Sequence, residues 1–290
     1  MTELSGTIML VFSVYVLAML GIGLWTARMT SSPLDFFLAD RSLKAWVTAI
    51  SSTASSESAW AVLGTVGLAY KEGLSSLWFM PGCLLGYLIN WLFIAEKLRK
   101  HSEENNAITL PDYFENHFDD KSNILRMVSV VIIFSCMMAY VAAQFTAIGK
   151  TFDAIFGVPH IISISVGGTI VLVYTMMGGV RAVAWTDFIQ GIIMVLGLVI
   201  LSLMALTSLG GFSGMLTEVS KASPETLQWM GGKSVSVFLG SLVGLLGIGL
   251  GYPGQPHVIT RYMAAKNTEA IQKGTFIALG WGLMVYSSSI

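Results

Sequence analysis

The residues with the most chemistry per position are Ser51–Ser58, which read Ser-Ser-Thr-Ala-Ser-Ser-Glu-Ser. Hydroxyls and one carboxylate occupy this stretch inside a long apolar run from about residue 46 to 70. Polar groups at membrane depth are costly unless partnered, and an acid there marks a functional site by default. Serine and threonine also offer the backbone alternatives to regular helix hydrogen bonds. The stretch is therefore expected to be a locally unwound part of a membrane helix that lines a cavity, since irregular backbone is tolerated at depth only inside protein or beside water. A second stretch of this kind is Gly247–Pro256, Gly-Ile-Gly-Leu-Gly-Tyr-Pro-Gly-Gln-Pro. Glycine and proline both disfavour helix, and proline removes a backbone donor. Unwinding there would free carbonyls and amides to bind something; the plainer alternative is a proline kink ending a helix.

The elements that must position these stretches are membrane helices. The chain has 290 residues, is 54% hydrophobic and only 11% charged, with a mean hydropathy of +0.71. Soluble domains run near 25% charged, so the expected class is an all-α multispan membrane protein embedded in a lipid bilayer. Seven runs meet the ~20-residue length of a span: about 6–27, 46–70, 74–95, 124–149, 160–178, 187–208 and 234–252. An eighth starts near Ala270. From Phe276 onward it covers about 22 Å of a ~30 Å core, so the chain is expected to stop after 7–8 helices, as a truncated gene would. The first run is too long for a signal-peptide core and lacks a clear cleavage site. Cys83 and Cys136 lie in apolar runs and read as small buried hydrophobes.

Lysine and arginine placement sets the expected topology. Arg28, Arg41, Lys44, Lys97, Arg99, Lys100, Lys121, Arg126, Arg181, Arg261, Lys266 and Lys273 fall on one set of alternate loops, and Lys71, Lys150, Lys221 and Lys233 on the other. Twelve against four places the first set in the cytoplasm and the N-terminus outside. The polar loop 97–123 is expected to be mostly a solvated cytoplasmic face, and the external loop 210–233, rich in glycine, a flexible or re-entrant connector. The net charge of −1 argues against a nucleic-acid partner.

Two interrupted helices in one apolar chain point to a secondary transporter. They fall five helices apart, at helices 2 and 7, as expected if each opens one copy of a five-helix inverted repeat. Residues 6–27 would be an extra helix, about 42–208 the first repeat, and about 234–290 the start of the second.

Longer motifs agree. Asp35–Leu43, Leu110-Pro111-Asp112-Tyr113-Phe114 with Asp119–Ser122, Tyr174–Gln190, and Gly251–His257 followed by Arg261–Ala265 together resemble the sodium:solute symporter family, most closely its sodium/proline branch. The resemblance implies a LeuT-type inverted-repeat fold and cation-driven uptake of a small organic solute, an amino acid such as proline. It implies sodium as the coupling ion, held in part at Ala54 and Glu57, with the remaining ligands beyond residue 290, and no other cofactor. Tyr140, Tyr252, Gln255 and Pro256 match solute-pocket positions, Asp187 an acid near the inner cation pathway, and Arg41 a functional cytoplasmic arginine. Two positions depart. The branch has an acid where this chain has Ser56 and an apolar residue at Glu57, so the carboxylate has moved by one position. It also has an aromatic residue at Ile248, which removes an aromatic wall from the pocket.

The residues themselves leave alternatives open. Ser55, Ser56 and Ser58 can add hydroxyls to an ion site, and Glu57 its charge; alternatively Glu57 is protonated, or paired with a residue such as Arg181 or with one beyond residue 290. Asp187 is also well suited to capping the start of helix 6. Proton coupling through Glu57, or a sensor or scaffold with the same fold, are the rival functions. No nucleophile–base pair, metal-ligand spacing or nucleotide motif suggests an enzyme. The expected location is the inner or plasma membrane.

Overall fold

A computed structural model describes residues 2–59 and 63–290; the centre of the expected 46–70 span, residues 60–62, lies outside the described residues. Within them every regular element is helical. α1 (Thr2–Ala27) is followed by a short α2 (Pro33–Leu38), capped by Ser32 and opened by Pro33. α3 (Ala45–Ala59) carries the serine-rich stretch, and α4 (Thr65–Glu72) continues beyond it. α5 (Phe79–Ile89) runs through a π turn, Asn90–Ala95, into α6 (Glu96–Glu104). α7 (Leu110–His117) and α8 (Ile124–Phe156) follow. α9 spans His160–Ser208, α10 Gly211–Ala222 and α11 Val235–Gly247. A 3-10 segment, Ile248–Gly254, leads to α12 (Pro256–Met263), and α13 spans Thr268–Ser289.

Among the described residues, five helical stretches are long and apolar enough to cross a membrane. One of them, the 49-residue α9, would be about 74 Å long at 1.5 Å per residue, more than twice a ~30 Å hydrocarbon core. It is two spans folded at Gly179 (φ 56°, ψ −148°). A side chain there would need the left-handed region and would overlap the Phe36 carbonyl, so glycine is required. The helix resumes at once after Gly179, and the expected loop between 178 and 187 is helical.

The expected unwinding over 51–58 is corrected to a single break. α3 stays helical to Glu57, and only Ser58 leaves the helical region (φ 47°, ψ −143°). The hydroxyls explain this. Ser52 donates to the Ala49 carbonyl (2.9 Å) and Thr53 to the same oxygen (2.8 Å), so these side chains bond back along the helix without replacing its ladder. The second interruption matches expectation. The 3-10 segment ends at an extended Gln255, and Pro256 opens α12, where its fixed φ and missing N–H suit a helix start.

The loops sort into two ends. At one end Leu43 bonds through its backbone on either side of Ala265 (Leu43 N to Ala264 O 3.1 Å, Lys266 N to Leu43 O 2.8 Å). Arg41 donates to the Ser102 hydroxyl and carbonyl (both 2.9 Å) and to the carbonyls of Ala107 (2.8 Å) and Met263 (2.9 Å). These bonds anchor three successive left-handed residues, Ala39, Asp40 and Arg41, a conformation costly for non-glycine residues. Arg99 is buried and donates to the Ala265 and Lys266 carbonyls and to Glu103, so loop 97–123 is not wholly a solvated face. Asp35 pairs with Arg181 (2.7 Å). Burial opposes its charge, but Arg181 and the Ser31 hydroxyl and amide hold its carboxyl below the ordinary value. At the other end Lys233 pairs with Glu72. There the expected connector 210–233 contains the regular helix α10 and a 3-10 turn, Pro224–Leu227.

α7 is fixed by a capping box: Thr109 accepts from the Asp112 amide (3.2 Å) and Asp112 from the Thr109 amide (3.0 Å). Thr109→Ala is expected to lower stability by about 1 kcal/mol, read as a reduced melting temperature; Thr109→Ser should leave it nearly unchanged.

Candidate functional site

α3 presents its polar residues on separate faces, because residues four apart stack on one side of a helix and their neighbours point elsewhere. Ser51 and Ser55 form the first face. Both donate to Asp187 Oδ2 at 2.9 Å. The same oxygen takes the Arg261 Nη2 at 2.5 Å, while Arg261 Nε donates to the Ser51 hydroxyl (2.6 Å) and Nη1 to the His257 carbonyl. Ala54 packs on this side, where a Cβ at Gly191 would lie 3.2 Å from its methyl. Asp187 is therefore not a helix cap. It sits in the interior of α9, as does Thr186, whose hydroxyl donates to the Ala182 and Val183 carbonyls.

Glu57 forms the second face and is 1% exposed. Its Oε1 accepts from the hydroxyls of Tyr87 (2.7 Å), Tyr252 (2.7 Å) and Tyr286. Tyr252 and Tyr286 are themselves 3.0 Å apart at their hydroxyls. Arg181 is not its partner, being committed to Asp35 and the Ala39 carbonyl. Beside Glu57, the Ser56 hydroxyl donates to Gln255 Oε1 (3.1 Å). Ser56, Glu57, Phe79, Ile248, Tyr252 and Gln255 line a cavity of about 240 Å³.

Contacts from α8 meet the break. Tyr140 donates to the Ser55 carbonyl (3.2 Å) and stacks on His257 with ring centres 4.9 Å apart. Gln144 donates to the Ser58 hydroxyl (3.2 Å). Pro256 stands at the start of α12 directly after Gln255. The two interruptions thus meet: Ser56–Gln255 and Glu57–Tyr252 join one broken helix to the other. Of the expected site residues, only Arg41 lies apart, in the loop cluster described above. Cys136 departs from expectation in being exposed, whereas Cys83 is buried.

Three participants were not expected from sequence: Arg261, Tyr87 and Tyr286. Arg261 counted as a loop charge, yet it is buried within α12. Its signal was available, since Pro256 can open a half-helix that still includes residue 261. Tyr87 and Tyr286 gave no signal, since an aromatic residue in an apolar helix reads as packing.

A profile of the sodium:solute symporter family matches residues 36–290. The chain belongs to that family. It is 35% identical over 288 residues to the sodium/proline symporter of Salmonella typhimurium, covering 99% of this chain and 57% of that relative. It is 36% identical over 267 residues to the high-affinity proline transporter PutP of Bacillus subtilis, covering 92% and 56%. Among solved structures it resembles a substrate-bound, outward-open sodium-coupled sialic acid symporter, with a TM-score of 0.77 at 20% identity, over 95% of this chain and 58% of that one. The fold is accordingly the all-α, LeuT-type inverted-repeat fold. The chain spans little more than half the length of the curated relatives it matches.

Proposed function

We propose that the whole protein is a sodium-coupled symporter of a small amino acid such as proline, acting in the inner or plasma membrane with its N-terminus outside. The observation that carries this is the meeting of the two interrupted helices at Ser56–Gln255 and Glu57–Tyr252, around a cavity. Family membership and proline-transporting relatives support it. Discontinuous helices supply both solute and ion sites in transporters of this kind.

In this proposal α1 is an extra helix, residues 42–208 are the first repeat, and 234–290 open the second. Sodium is held on the Asp187 side of α3, by the Ala54 carbonyl with Ser55 and, past the break, Ser58. The solute occupies the cavity between Ser56, Ile248, Tyr252, Gln255 and Pro256, with Tyr140 beside the break. Arg41, binding the chain next to α12, couples movement of that half-helix to the loops. Asp187, held by Arg261, stands between the ion site and the loop cluster.

The test is uptake of labelled proline by proteoliposomes carrying the full gene product, under an imposed sodium gradient. Sodium-dependent accumulation is the expected result. Accumulation driven by a pH gradient and indifferent to sodium would replace sodium with protons. No accumulation under either gradient would leave a sensor or scaffold.

A further inference from the structure

Glu57 has two carboxylate oxygens with opposite surroundings. Oε1 is occupied by three tyrosine hydroxyls. Oε2 is fully buried, and no described residue donates to it. Nor does any lysine or arginine pair with Glu57 among the described residues, since every ion pair there lies elsewhere. The same side chain lines the cavity of about 240 Å³.

Three hydroxyl donors converging on one oxygen fit an ionised carboxylate, which only accepts. A neutral carboxyl would carry its proton on Oε2, where nothing receives it. An ionised carboxylate buried without a counter-charge costs several kcal/mol. An occupant of the cavity bearing positive charge removes that cost. The walls say which kind of cation. Ser56 and Gln255 already bond each other, and Phe79 and Ile248 present carbon. A bare hard cation needs a full shell of oxygens, and two of the six lining side chains, Phe79 and Ile248, offer none. An organic cation needs one charged acceptor and an apolar surface for its carbon skeleton, which these walls offer.

We propose that Glu57 is the counter-ion for the protonated nitrogen of the solute, so that the pocket selects small amines with a compact aliphatic body resting on Ile248 and Phe79. The proposal rests on the symport reading for its transport consequence. Tyr87, Tyr252 and Tyr286 are positioning residues: they fix Oε1 and hold the carboxylate beside the cavity, with Oε2 unpaired.

Two ring compounds divide the question. Pyrrolidine keeps the cationic nitrogen of proline without its carboxylate; cyclopentanecarboxylate keeps the carboxylate and replaces nitrogen with carbon. In competition against labelled proline uptake, cyclopentanecarboxylate should be at least about 100-fold weaker than proline, because a site built around a polar group of its ligand rejects the analogue lacking it. Glu57→Gln should shrink that discrimination about tenfold or more, the size of a charged hydrogen bond, raising the KM for proline with the sodium half-saturation unchanged. Cyclopentanecarboxylate competing within about threefold of proline would overturn the proposal, whether or not the variant folds. So would a Glu57→Gln variant that shifts sodium half-saturation and keeps the discrimination. Failure of uptake is separable, because melting of the purified protein reads the site directly. Stabilisation by pyrrolidine that Glu57→Gln abolishes sustains the proposal even if symport fails; stabilisation by cyclopentanecarboxylate alone overturns it.

Discussion

Arg261→Ala is expected to destabilise the protein by about 3–5 kcal/mol, the usual cost of stripping one partner from a buried ion pair. The side chains of Arg261 and Asp187 are 9% and 16% exposed, and their charged atoms stand 2.5 Å apart. Removing the guanidinium leaves Asp187 with two serine hydroxyls, Ser51 and Ser55, and no counter-charge. Removing the acid instead, as Asp187→Asn, leaves Arg261 with the Ser51 hydroxyl and the His257 carbonyl, again without a counter-charge. The two single variants should therefore lose similar stability. The double variant should recover most of it, because two neutral groups no longer carry the cost of an isolated buried charge. Unfolding in mixed micelles measures the cycle. A coupling above about 2 kcal/mol is expected, within the range for contacting residues; a coupling under about 0.5 kcal/mol would mean that water screens the pair. The consequence reaches function, since the pair ties α3, α9 and α12 together. Any movement of the half-helix α12 must keep this pair or break it.

What the sequence disclosed about this site, and what it hid, follows from how each feature is encoded. The two interruptions were legible because glycine, proline and clustered hydroxyls act locally, within a few residues of the break they cause. Their separation by five helices is what the proposed pair of repeats rests on. The extent of the first break was not legible. Back-bonding by Ser52 and Thr53 satisfies those hydroxyls inside a regular helix, so the polar run is a polar face and only Ser58 breaks. Asp187 was misplaced for a related reason. Gly178-Gly179 and Arg181 suggest a loop, but one glycine in the left-handed region reverses the chain and the helix resumes immediately. The tyrosines around Glu57 were the least legible. Tyr87 and Tyr286 lie 30 and 229 residues away, and contacts at that separation leave no period or motif. The acid itself was conspicuous; its partners were ordinary members of apolar helices.

The close approach that assembles those tyrosines makes Gly249→Ala the second large effect. α5 crosses the 3-10 segment through glycine on both sides. A Cβ at Gly249 would overlap the Gly82 carbonyl oxygen and stand 2.8 Å from the Gly86 amide nitrogen. A Cβ at Gly86 would stand 2.5 Å from the Gly249 carbonyl oxygen. Backbone must yield in each case, and at Gly86 the Tyr252 ring as well. Overpacking of this kind costs about 1–3 kcal/mol, occasionally more, and Gly249→Ala belongs at the upper end because both helices must move apart. Alanine otherwise favours helix over glycine by about 1 kcal/mol, so a gain would be expected if the crossing were loose. Gly251→Ala supplies the control in the same segment, since a Cβ there meets nothing within 4 Å. Gly251→Ala should melt at or slightly above the parent temperature, and Gly249→Ala well below it. Equal melting of the two variants would refute the close crossing. The functional loss should exceed the loss of stability. Tyr252 follows Gly249 by three residues and Tyr87 follows Gly86 by one, so spreading the crossing pulls two of the three hydroxyls off Glu57 Oε1. An acid released from those donors no longer keeps its place beside the cavity, and under the proposed function solute uptake should then fall even in the fraction of Gly249→Ala that remains folded.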